Sequence, residues 1–244
     1  MKIATWNVNG IRARSEQLHR WIADEQPDIL CIQEIKASTD QVPTALCEME
    51  GYWCCWHGQK GYSGVGMHIR KAVAPEPPAY SFPDFDFECR IMTTRVQGIT
   101  IASVYVPNGG KDMDAKMRFL QALEAYAAAS ADRPIVLCGD MNVIRTDQDV
   151  HPKELKPGAI GQLPVEKEAM ERILSHGLVD VQRSLHPDDD RLFTWWAPWR
   201  ELRQKNIGWR IDYILASQSL KADSCQVYRE VGTSDHAPVV AVFQ

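Results

Sequence analysis

Eight short apolar segments, interleaved with three amphipathic ones, constrain the fold of this chain more than any other feature of its sequence. Each apolar segment has the length of a β-strand and is far too short to span a membrane. Two of them, at 91–96 and 99–106, follow one another without a helix between them, so a purely parallel sheet is excluded. We therefore expect an α/β fold in which helices cover mixed β-sheets. The predicted strands are 2–6, 29–33, 52–57, 91–96, 99–106, 135–139, 210–216 and 239–243.

Apolar residues at helical spacing predict three helices. The first begins with Ser15 as its N-cap and is ended by Pro27. The second covers 116–130, a stretch that contains no Gly or Pro. The third begins at Pro164, and Gly177 stands where a left-handed C-cap belongs. The side chains expected to face the core are Leu18, Trp21, Ile22, Phe119, Leu120, Leu123, Tyr126, Ala127, Ala169, Met170, Ile173 and Leu174.

Length and composition favour one globular domain over residues 1–244. Hydrophobic residues make up 45% of the chain and charged residues 24%, which is typical of a globular protein. The N-terminal residues become polar too early for a signal peptide, and no membrane partner is expected. Seven cysteines without a CxxC pair indicate reduced thiols, and hence a cytoplasmic location, rather than a zinc site. A monomer is the simplest expectation.

Six segments end in the same way, because their apolar residues give way abruptly to amide, carboxylate or other polar side chains. A single ending of this kind is explained by turn formation, since Asn, Asp and Gly are common turn residues. Six endings are harder to explain in that way. If the strands lie side by side, their ends form one polar pocket at the rim of the sheet, where α/β folds place their sites. The residues at these ends are Asn7, Asn9, Glu34, Lys36, Tyr105, Asn108, Asp140, Asn142, Arg210, Asp212, Asp235 and His236.

The residue types in this pocket restrict its chemistry. Carboxylate and amide oxygens with few histidines favour Mg²⁺, or Mn²⁺, over Zn²⁺. A divalent cation would neutralise the crowded carboxylates and polarise a phosphoryl oxygen. His236 can donate to developing negative charge, with Asp212 as its orienting carboxylate. The sequence at 234–236 is not a serine triad, and GYSGVG at 61–66 fits neither a nucleophile elbow nor a dinucleotide fingerprint; we expect a tight turn running into a strand there.

The sequence strongly resembles the exonuclease III family of apurinic/apyrimidinic (AP) endonucleases, within the endonuclease/exonuclease/phosphatase superfamily. The matching blocks occur in family order and span almost the whole chain. They are TWNVNGIR at 5–12, PDILCIQEIK at 27–36, GYSGVG at 61–66, YVPNG at 105–109, GDMN at 139–142, FTWW at 193–196, GWRIDYIL at 208–215 and SDHAPV at 234–239. The resemblance implies a four-layer α/β sandwich, in which two mixed sheets pack face to face with helices outside. It also implies Mg²⁺-dependent cleavage of DNA 5′ to abasic sites, with 3′→5′ exonuclease and 3′-repair activities.

The same resemblance assigns roles to the residues of the predicted pocket. Glu34 is the implied principal metal ligand, with Asp235, Asn7 and Asn9 close by. Asp140 is implied to activate the attacking water, Asn142 to hold the water or phosphate, and His236 to donate to the scissile phosphate with Asp212 orienting it. Tyr105 is implied to lie near the phosphate as base, acid or positioner. A second metal, if used, would involve Asp140, Asn142 and His236.

Substrate recognition is implied for a further set of residues. A pocket with aromatic walls selects a flipped sugar that lacks a base. The residues implied to form such walls are Trp195, Trp209 and Ile211, although one of the adjacent pair Trp195 and Trp196 is expected to be ordinary core. The residues expected to contact phosphate or to act as scaffolding for the site are Lys36, Asn108 and Arg210. The alternative interpretation of the three is surface charge or ion pairing.

Departures from the family pattern lie outside the proposed catalytic set. The loop at 110–115 is short and lacks the arginine of some relatives, Met117 replaces an aromatic residue, and Cys89 replaces a glycine. We expect these changes to bear on how the DNA strand opposite the lesion is held, and hence on the balance of endonuclease to exonuclease activity. No basic N-terminal extension precedes the first block, so the redox or localisation roles of longer relatives are not expected.

Two rival functions remain open at this stage. The superfamily also hydrolyses phosphoinositides, sphingomyelin and RNA tails, although the GWRIDYIL, YVPNG and FTWW blocks favour DNA repair. The second rival function is that of a DNA-binding module that has lost catalysis. Every implied catalytic residue is present, however, which argues against such a loss. The expected partner is therefore double-stranded DNA with abasic sites or 3′ ends.

The net charge of −5 argues at first against such a partner, because nucleic-acid binding usually leaves a basic footprint. Much of the acidity is expected inside the site, and the segment 199–210 carries four basic residues against one acidic residue. For DNA binding, the distribution of charged residues over the surface therefore matters more than the net charge of the chain. We expect modest, salt-sensitive affinity for undamaged DNA.

Overall fold

The computed structural model describes residues 1–59, 61–156 and 158–244. Within these residues, twelve strands form two six-stranded sheets, in the orders β11-β12-β1-β2-β4-β3 and β5-β6-β7-β8-β10-β9. The strands are β1 Lys2–Asn7, β2 Ile29–Gln33, β3 Tyr52–Gln59, β4 Tyr62–Arg70, β5 Tyr80–Ser81, β6 Ile91–Val96, β7 Ile99–Tyr105, β8 Ile135–Asp140, β9 Leu178–Asp180, β10 Asp212–Ser217, β11 Ala222–Val227 and β12 Val239–Phe243.

Both sheets are mixed, as predicted. The pairs β1–β2 and β7–β8 are parallel, whereas the other pairs in each sheet are antiparallel. The same part of the chain contains five α-helices and two short 3₁₀ helices. They are α1 Ile11–Glu25, α2 Thr44–Cys47, α3 Met113–Ala129, α4 Pro164–Ser175 and α5 Val181–Leu185, with 3₁₀ turns at Thr39–Gln41 and Asp147–Asp149.

The apolar residues arrange these elements in four layers. Side chains from the inner faces of the two sheets, such as Met67 and Val136, form one buried cluster between them. The outer face of the second sheet packs against α3 and α4 through residues such as Leu120 and Ile173. The outer face of the first sheet packs against α1, where Ile22 is fully buried. This confirms the predicted sandwich of two face-to-face sheets with helices outside.

All three predicted helices are present, and one predicted cap is wrong. The first helix begins at Ile11 after Gly10, so Ser15 lies inside it and does not cap it. It ends at Glu25, where Gln26 takes the left-handed conformation just before Pro27. The second helix begins earlier than predicted, because the Asp112 side chain accepts the Ala115 N–H as an N-cap.

The eight predicted strands are present, and four others were missed. The missed strands are the short β5 and β9, the edge strand β11, and β4, an interior strand between β2 and β3. Tyr62 begins β4, so GYSGVG at 61–66 lies almost wholly inside the strand and the turn precedes it. The strand predicted at 210–216 begins only at Asp212, since Arg210 is held by other contacts.

No helix in the described part of the chain has the length and apolar character that crossing a bilayer requires. All seven cysteines belong to the described residues and are free thiols.

A buried histidine makes stability depend on pH. His68 in β4 is fully buried, its Nε2 lies 2.8 Å from the Leu46 carbonyl oxygen, and its Nδ1 has no hydrogen-bond partner among the described residues. Burial lowers the pKa of His68 to about 4, from a usual 6.5. The unfolded chain therefore takes up a proton at higher pH than the folded protein. Stability is lost as the pH falls from the unfolded value toward the folded one, by up to about 3 kcal/mol.

His68→Gln tests this prediction, because glutamine can donate to the Leu46 carbonyl group but does not titrate. Urea unfolding at pH 7.5 and pH 5 is expected to give the wild type a larger loss of unfolding free energy than the variant. Equal losses in the two proteins would show that His68 is not the responsible group.

Candidate active site

Strand register brings the polar strand ends to one rim. Asn7 at the end of β1 lies beside the end of β2, and on the second sheet Asp140 is paired with both Tyr105 and Asp212. A cavity of about 360 Å³ opens at this rim. Its lining includes nearly all the predicted residues and one that was not predicted, Ile160. The lining residues are Asn9, Glu34, Lys36, Tyr105, Asn108, Asp140, Asn142, Ile160, Trp195, Trp209, Ile211, Asp235 and His236. A larger cavity of about 580 Å³ beside β11 contains none of the predicted site residues.

Asp140 lies at the base of the cavity and is 1% exposed. Its Oδ1 accepts the backbone N–H of Asn142 at 2.8 Å, and its Oδ2 accepts Asn7 Nδ2 at 2.8 Å. Burial and the charge of Asp212 raise the pKa of Asp140 to about 7, although the nearby His236 opposes the shift. A carboxylate with this pKa can accept a proton near neutral pH.

The donor atoms of three side chains could hold a cation. One ligand atom each from Glu34, Asp140 and His236 lies within 4.8 Å of the others. Asp235 borders the same cavity, where Asn9 Nδ2 and Trp195 Nε1 donate to its two oxygens at 2.7 and 3.0 Å. Carboxylate oxygens predominate in this set, so it fits a hard divalent cation such as Mg²⁺ better than Zn²⁺.

A lysine already partly neutralises this cluster. Lys36 Nζ lies 2.7 Å from Glu34 Oε1 and donates to Asn9 Oδ1 at 2.6 Å. Lys36 is therefore tied to the side chains of the cavity and is not simply a solvated surface charge.

Burial of Asp235 would raise its pKa, but His236 and the donors Asn9 and Trp195 outweigh this and hold the pKa below its ordinary value.

His236 and Asp212 form the predicted pair. His236 Nδ1 lies 2.9 Å from Asp212 Oδ2, and its Nε2 lies 3.9 Å from Asp140 Oδ2. Burial alone would lower the pKa of His236, but the charges of Asp212, Asp140 and Asp235 raise it to about 10. The imidazole is consequently protonated at neutral pH, and Asp212 leaves Nε2 free to donate into the cavity.

Thr194, which sequence reasoning missed, holds Asp212 in place. Its hydroxyl donates to Asp212 Oδ2 at 2.6 Å and accepts the backbone N–H groups of Ile211 and Asp212 at 3.1 Å. The signal that could have found it is its position in the FTWW block.

Tyr105 borders the cavity from the end of β7. Burial, together with the charges of Glu34 and Asp140, raises the pKa of Tyr105 well above 10. The guanidinium carbon of Arg90 lies 4.8 Å from the centre of its ring. The phenol therefore keeps its proton at neutral pH and can donate or position, but it is poorly suited to act as a base.

Aromatic and aliphatic side chains form one wall of the cavity. The rings of Trp195 and Trp209 meet edge to face at 5.5 Å, with Ile211 and Ile160 also in the lining. Trp196, in contrast, is 1% exposed and donates to Asn206 from its indole nitrogen. The expectation that one of the adjacent tryptophans is ordinary core is thus met by Trp196.

One predicted role needs correction, and a second residue has contacts that the sequence did not predict. Arg210 is fully buried, and its guanidinium binds Asp149 at 2.8 Å and Asp180 at 2.7 Å. It cannot contact a substrate phosphate, and it stabilises the loops behind the cavity instead. Asn7 offers its amide nitrogen to Glu34 and Asp140, while its oxygen accepts the Asn9 N–H at 3.0 Å. Asn7 therefore orients the two carboxylates, while its role as a metal ligand stays a prediction.

The site also stores backbone strain. Asn9, Glu34, Lys36 and Asn142 have φ values of 46°, 56°, 50° and 52°. Such left-handed conformations cost of the order of 1 kcal/mol or more for a residue with a side chain. They persist because surrounding hydrogen bonds hold them, and their concentration at one cavity is typical of a functional site.

Fold and site together define a class, an α/β sandwich with a carboxylate and histidine centre at the rim of its two sheets. Residues 4–236 match the profile of the endonuclease/exonuclease/phosphatase family, and the chain belongs to that family. An exodeoxyribonuclease of Bacillus subtilis (strain 168) is 33% identical over 251 residues, covering 100% of this chain and 99% of the relative.

Solved structures agree with this placement. An AP endonuclease from Archaeoglobus fulgidus superposes with a TM-score of 0.90 at 32% identity, covering 100% of this chain and 99% of that one. The 3′ phosphatase NExo from Neisseria, bound to a product DNA hairpin, gives 0.91 at 33% identity with the same coverage. The resemblance to the exonuclease III family of AP endonucleases is confirmed.

Proposed function

We propose that the chain is a Mg²⁺-dependent DNA-repair phosphodiesterase that cleaves DNA 5′ to abasic sites and also removes nucleotides or blocking groups from 3′ ends. It is a hydrolase acting on DNA phosphodiester bonds, as its family and relatives support. One observation carries the proposal, namely that the cavity joins the Asp140 and His236 centre directly to the wall formed by Trp195 and Trp209.

Each side chain of the centre has a chemical role in this proposal. Asp140 takes a proton from the attacking water, and Asn142, whose N–H holds Asp140, helps to orient that water or the phosphate. His236 donates from Nε2 to an oxygen of the scissile phosphate as negative charge develops there. Tyr105 positions the phosphate from the opposite side through its phenol.

Glu34 and Asp235 are the residues proposed to hold Mg²⁺, with Mn²⁺ as a substitute. The side chain of Asn9 bridges Asp235 and Lys36. Asp140, Asn142 and His236 would take part if a second ion is used, and His236 would first have to release the proton on Nε2. The ion supplies charge neutralisation at the phosphate when it is bound.

The wall of the cavity supports selection of a nucleotide without a base. An abasic sugar that leaves the helix fits between Trp209, Trp195 and Ile211, whereas an ordinary base adds bulk at the same place. Asn108 is exposed at the mouth, where its Nδ2 donates to Asn142 Oδ1 at 3.2 Å, and with Lys36 it is a proposed phosphate contact.

The basic segment at 199–210 contributes less charge than its composition suggests. Arg210 is buried, and Arg203 is bound to the backbone carbonyl groups of residues 229, 231 and 234. Arg200 and Lys205 remain exposed beside Trp199, which is 59% exposed. We propose that these three side chains meet the DNA flanking the lesion, with binding that is modest and sensitive to salt.

The remaining parts of the proposal concern the state of the protein. Residues 1–244 are proposed to act as a single catalytic domain, as a monomer in the cytoplasm, on double-stranded DNA.

Cleavage of matched duplexes tests the function. An abasic-site duplex, a nicked duplex and a blunt duplex are each incubated across a Mg²⁺ titration. We expect a single nick 5′ to the abasic site, slower release of nucleotides from the 3′ ends, and no product in excess chelator until Mg²⁺ or Mn²⁺ is restored. An intact abasic duplex at saturating Mg²⁺ would overturn the proposal, and phosphate release from inositol phosphates would favour the rival function.

A further inference from the structure

A buried ion pair lies directly behind the proposed active site. Lys116, in the first turn of α3, and Glu166, in the first turn of α4, are both fully buried, and Lys116 Nζ contacts Glu166 Oε1. Removing two charges from water costs several kcal/mol for each ion, so a pair of this kind is an inefficient way to stabilise a fold. The contacts of the ion pair indicate a role other than stabilising the fold.

The pair binds the backbone at three places, one in the β7–α3 connection and one near each end of the β8–α4 connection. Lys116 Nζ donates to the carbonyl oxygens of Asn108 at 3.1 Å and Asn142 at 2.8 Å. Glu166 Oε2 accepts the N–H groups of Gly161 at 2.7 Å and Leu163 at 3.0 Å. The β7–α3 connection and both ends of the β8–α4 connection therefore meet at one ion pair.

The loops held by Lys116 carry the catalytic side of the cavity. Asn142 has a left-handed backbone, and its N–H donates to Asp140 Oδ1 at 2.8 Å. The side chain of Asn108 donates to Asn142 Oδ1. A shift of the Asn142 carbonyl group would rotate the peptide plane next to the one that holds Asp140.

The loop held by Glu166 carries part of the opposite wall. A Cβ atom at Gly161 would lie 3.0 Å from the Trp209 ring, so this backbone packs tightly against the tryptophan. The neighbouring Ile160 lines the cavity. Glu166 thus fixes the backbone on which Trp209 rests.

We propose that Lys116 and Glu166 are positioning residues that set the spacing between the Asp140 centre and the Trp209 wall. Neither residue reaches the cavity, so the pair acts through the loops it binds and contacts no substrate. This inference rests on the proposed function for its catalytic consequence, but not for its structural one. Because a misplacement of about 1 Å can cost about 10²-fold in rate, loss of the pair should appear chiefly in turnover.

The double variant Lys116→Met/Glu166→Gln tests the proposal. It removes both charges together and leaves an acceptor for the Gly161 and Leu163 N–H groups, so it avoids the unpaired buried carboxylate that Lys116→Met alone would leave. We expect it to fold, with a melting temperature well above that of Lys116→Met. We also expect kcat on the abasic duplex to fall about 10-fold or more while KM changes by less than about threefold.

A second ion pair between the same helices provides the control. Arg172 Nε lies 2.9 Å from Glu124 Oε2 in the C-terminal halves of α4 and α3. Arg172→Met/Glu124→Gln is expected to leave kcat and KM unchanged. A double variant at 116 and 166 with wild-type kcat, or a loss of rate that only matches its loss of folded protein, would overturn the inference.

Hydrogen exchange separates this inference from the proposed function. Peptides covering 106–112, 140–145 and 159–163 are expected to exchange faster in the Lys116→Met/Glu166→Gln variant, while a peptide covering β1 is unchanged. Unchanged exchange in those loops overturns the inference, even if the wild type cleaves abasic DNA. If these loops exchange faster in the variant but the wild type cleaves none of the duplexes, the proposed function is overturned and the positioning role is still supported.

Discussion

Asp140→Asn is expected to lower the turnover number on an abasic-site duplex about 10³-fold while DNA binding survives. The asparagine keeps the size of the side chain and can still accept the Asn142 N–H, but it cannot take a proton from water. Binding survives because Trp209, Lys36 and the exposed residues near Trp199 are unchanged. Single-turnover cleavage and fluorescence anisotropy with the same duplex measure the two quantities separately.

Folding of this variant is not expected to suffer. Burial raises the pKa of Asp140, so the folded protein binds the carboxylate proton more tightly than the unfolded chain. Above the folded pKa the ionised carboxylate is therefore a destabilising group, and its replacement should leave the melting temperature equal or higher. Asp147→Asn is the matched control, because that exposed carboxylate pairs with Lys167 outside the cavity. Near wild-type cleavage by Asp140→Asn would show that another group activates the water.

The helices and most strands could be predicted because their apolar periodicity is local. The interior strand β4 could not, because two glycines interrupt its apolar residues. A Cβ at Gly66 would lie 2.4 Å from the ring of Trp56 on the neighbouring strand β3, so this glycine makes room for a tryptophan. Glycine is usually unfavourable in a strand, and only the tertiary contact explains it here.

The polar residues of the site could be predicted because parallel pairs place their strand ends at one rim. Their backbone conformation could not, since nothing local in Glu34 or Lys36 favours a left-handed φ. Arg210 was assigned wrongly for a related reason. Its partners Asp149 and Asp180 are 61 and 30 residues away in the chain, so the charge looked available until the fold brought the three together.

Net charge was likewise a poor guide to the partner. Glu34, Asp140, Asp212 and Asp235 are concentrated at the proposed centre, where Lys36 and His236 offset part of their charge and the proposed cation would offset more. These carboxylates contribute to the sum of −5 without making the surrounding surface acidic.

His236→Ala is expected to lower turnover about 10³-fold, and Asp212→Asn about 10²-fold, with smaller changes in DNA affinity. Alanine removes the proposed donor to the phosphate. Asparagine keeps the hydrogen bond from Thr194 but removes the charge that keeps the imidazole protonated and oriented. His176→Ala, at the residue that follows the last residue of α4 and lies outside the cavity, is the control expected to retain full activity.

The double variant His236→Ala/Asp212→Asn distinguishes a coupled pair from two independent groups. If Asp212 acts only through His236, its loss costs nothing further once the imidazole is gone, so the double variant should cleave as slowly as His236→Ala alone. Independent roles would instead multiply the two losses to about 10⁵-fold. That outcome would mean that Asp212, although it is fully buried beside His236 Nδ1, affects the reaction by a route other than the imidazole.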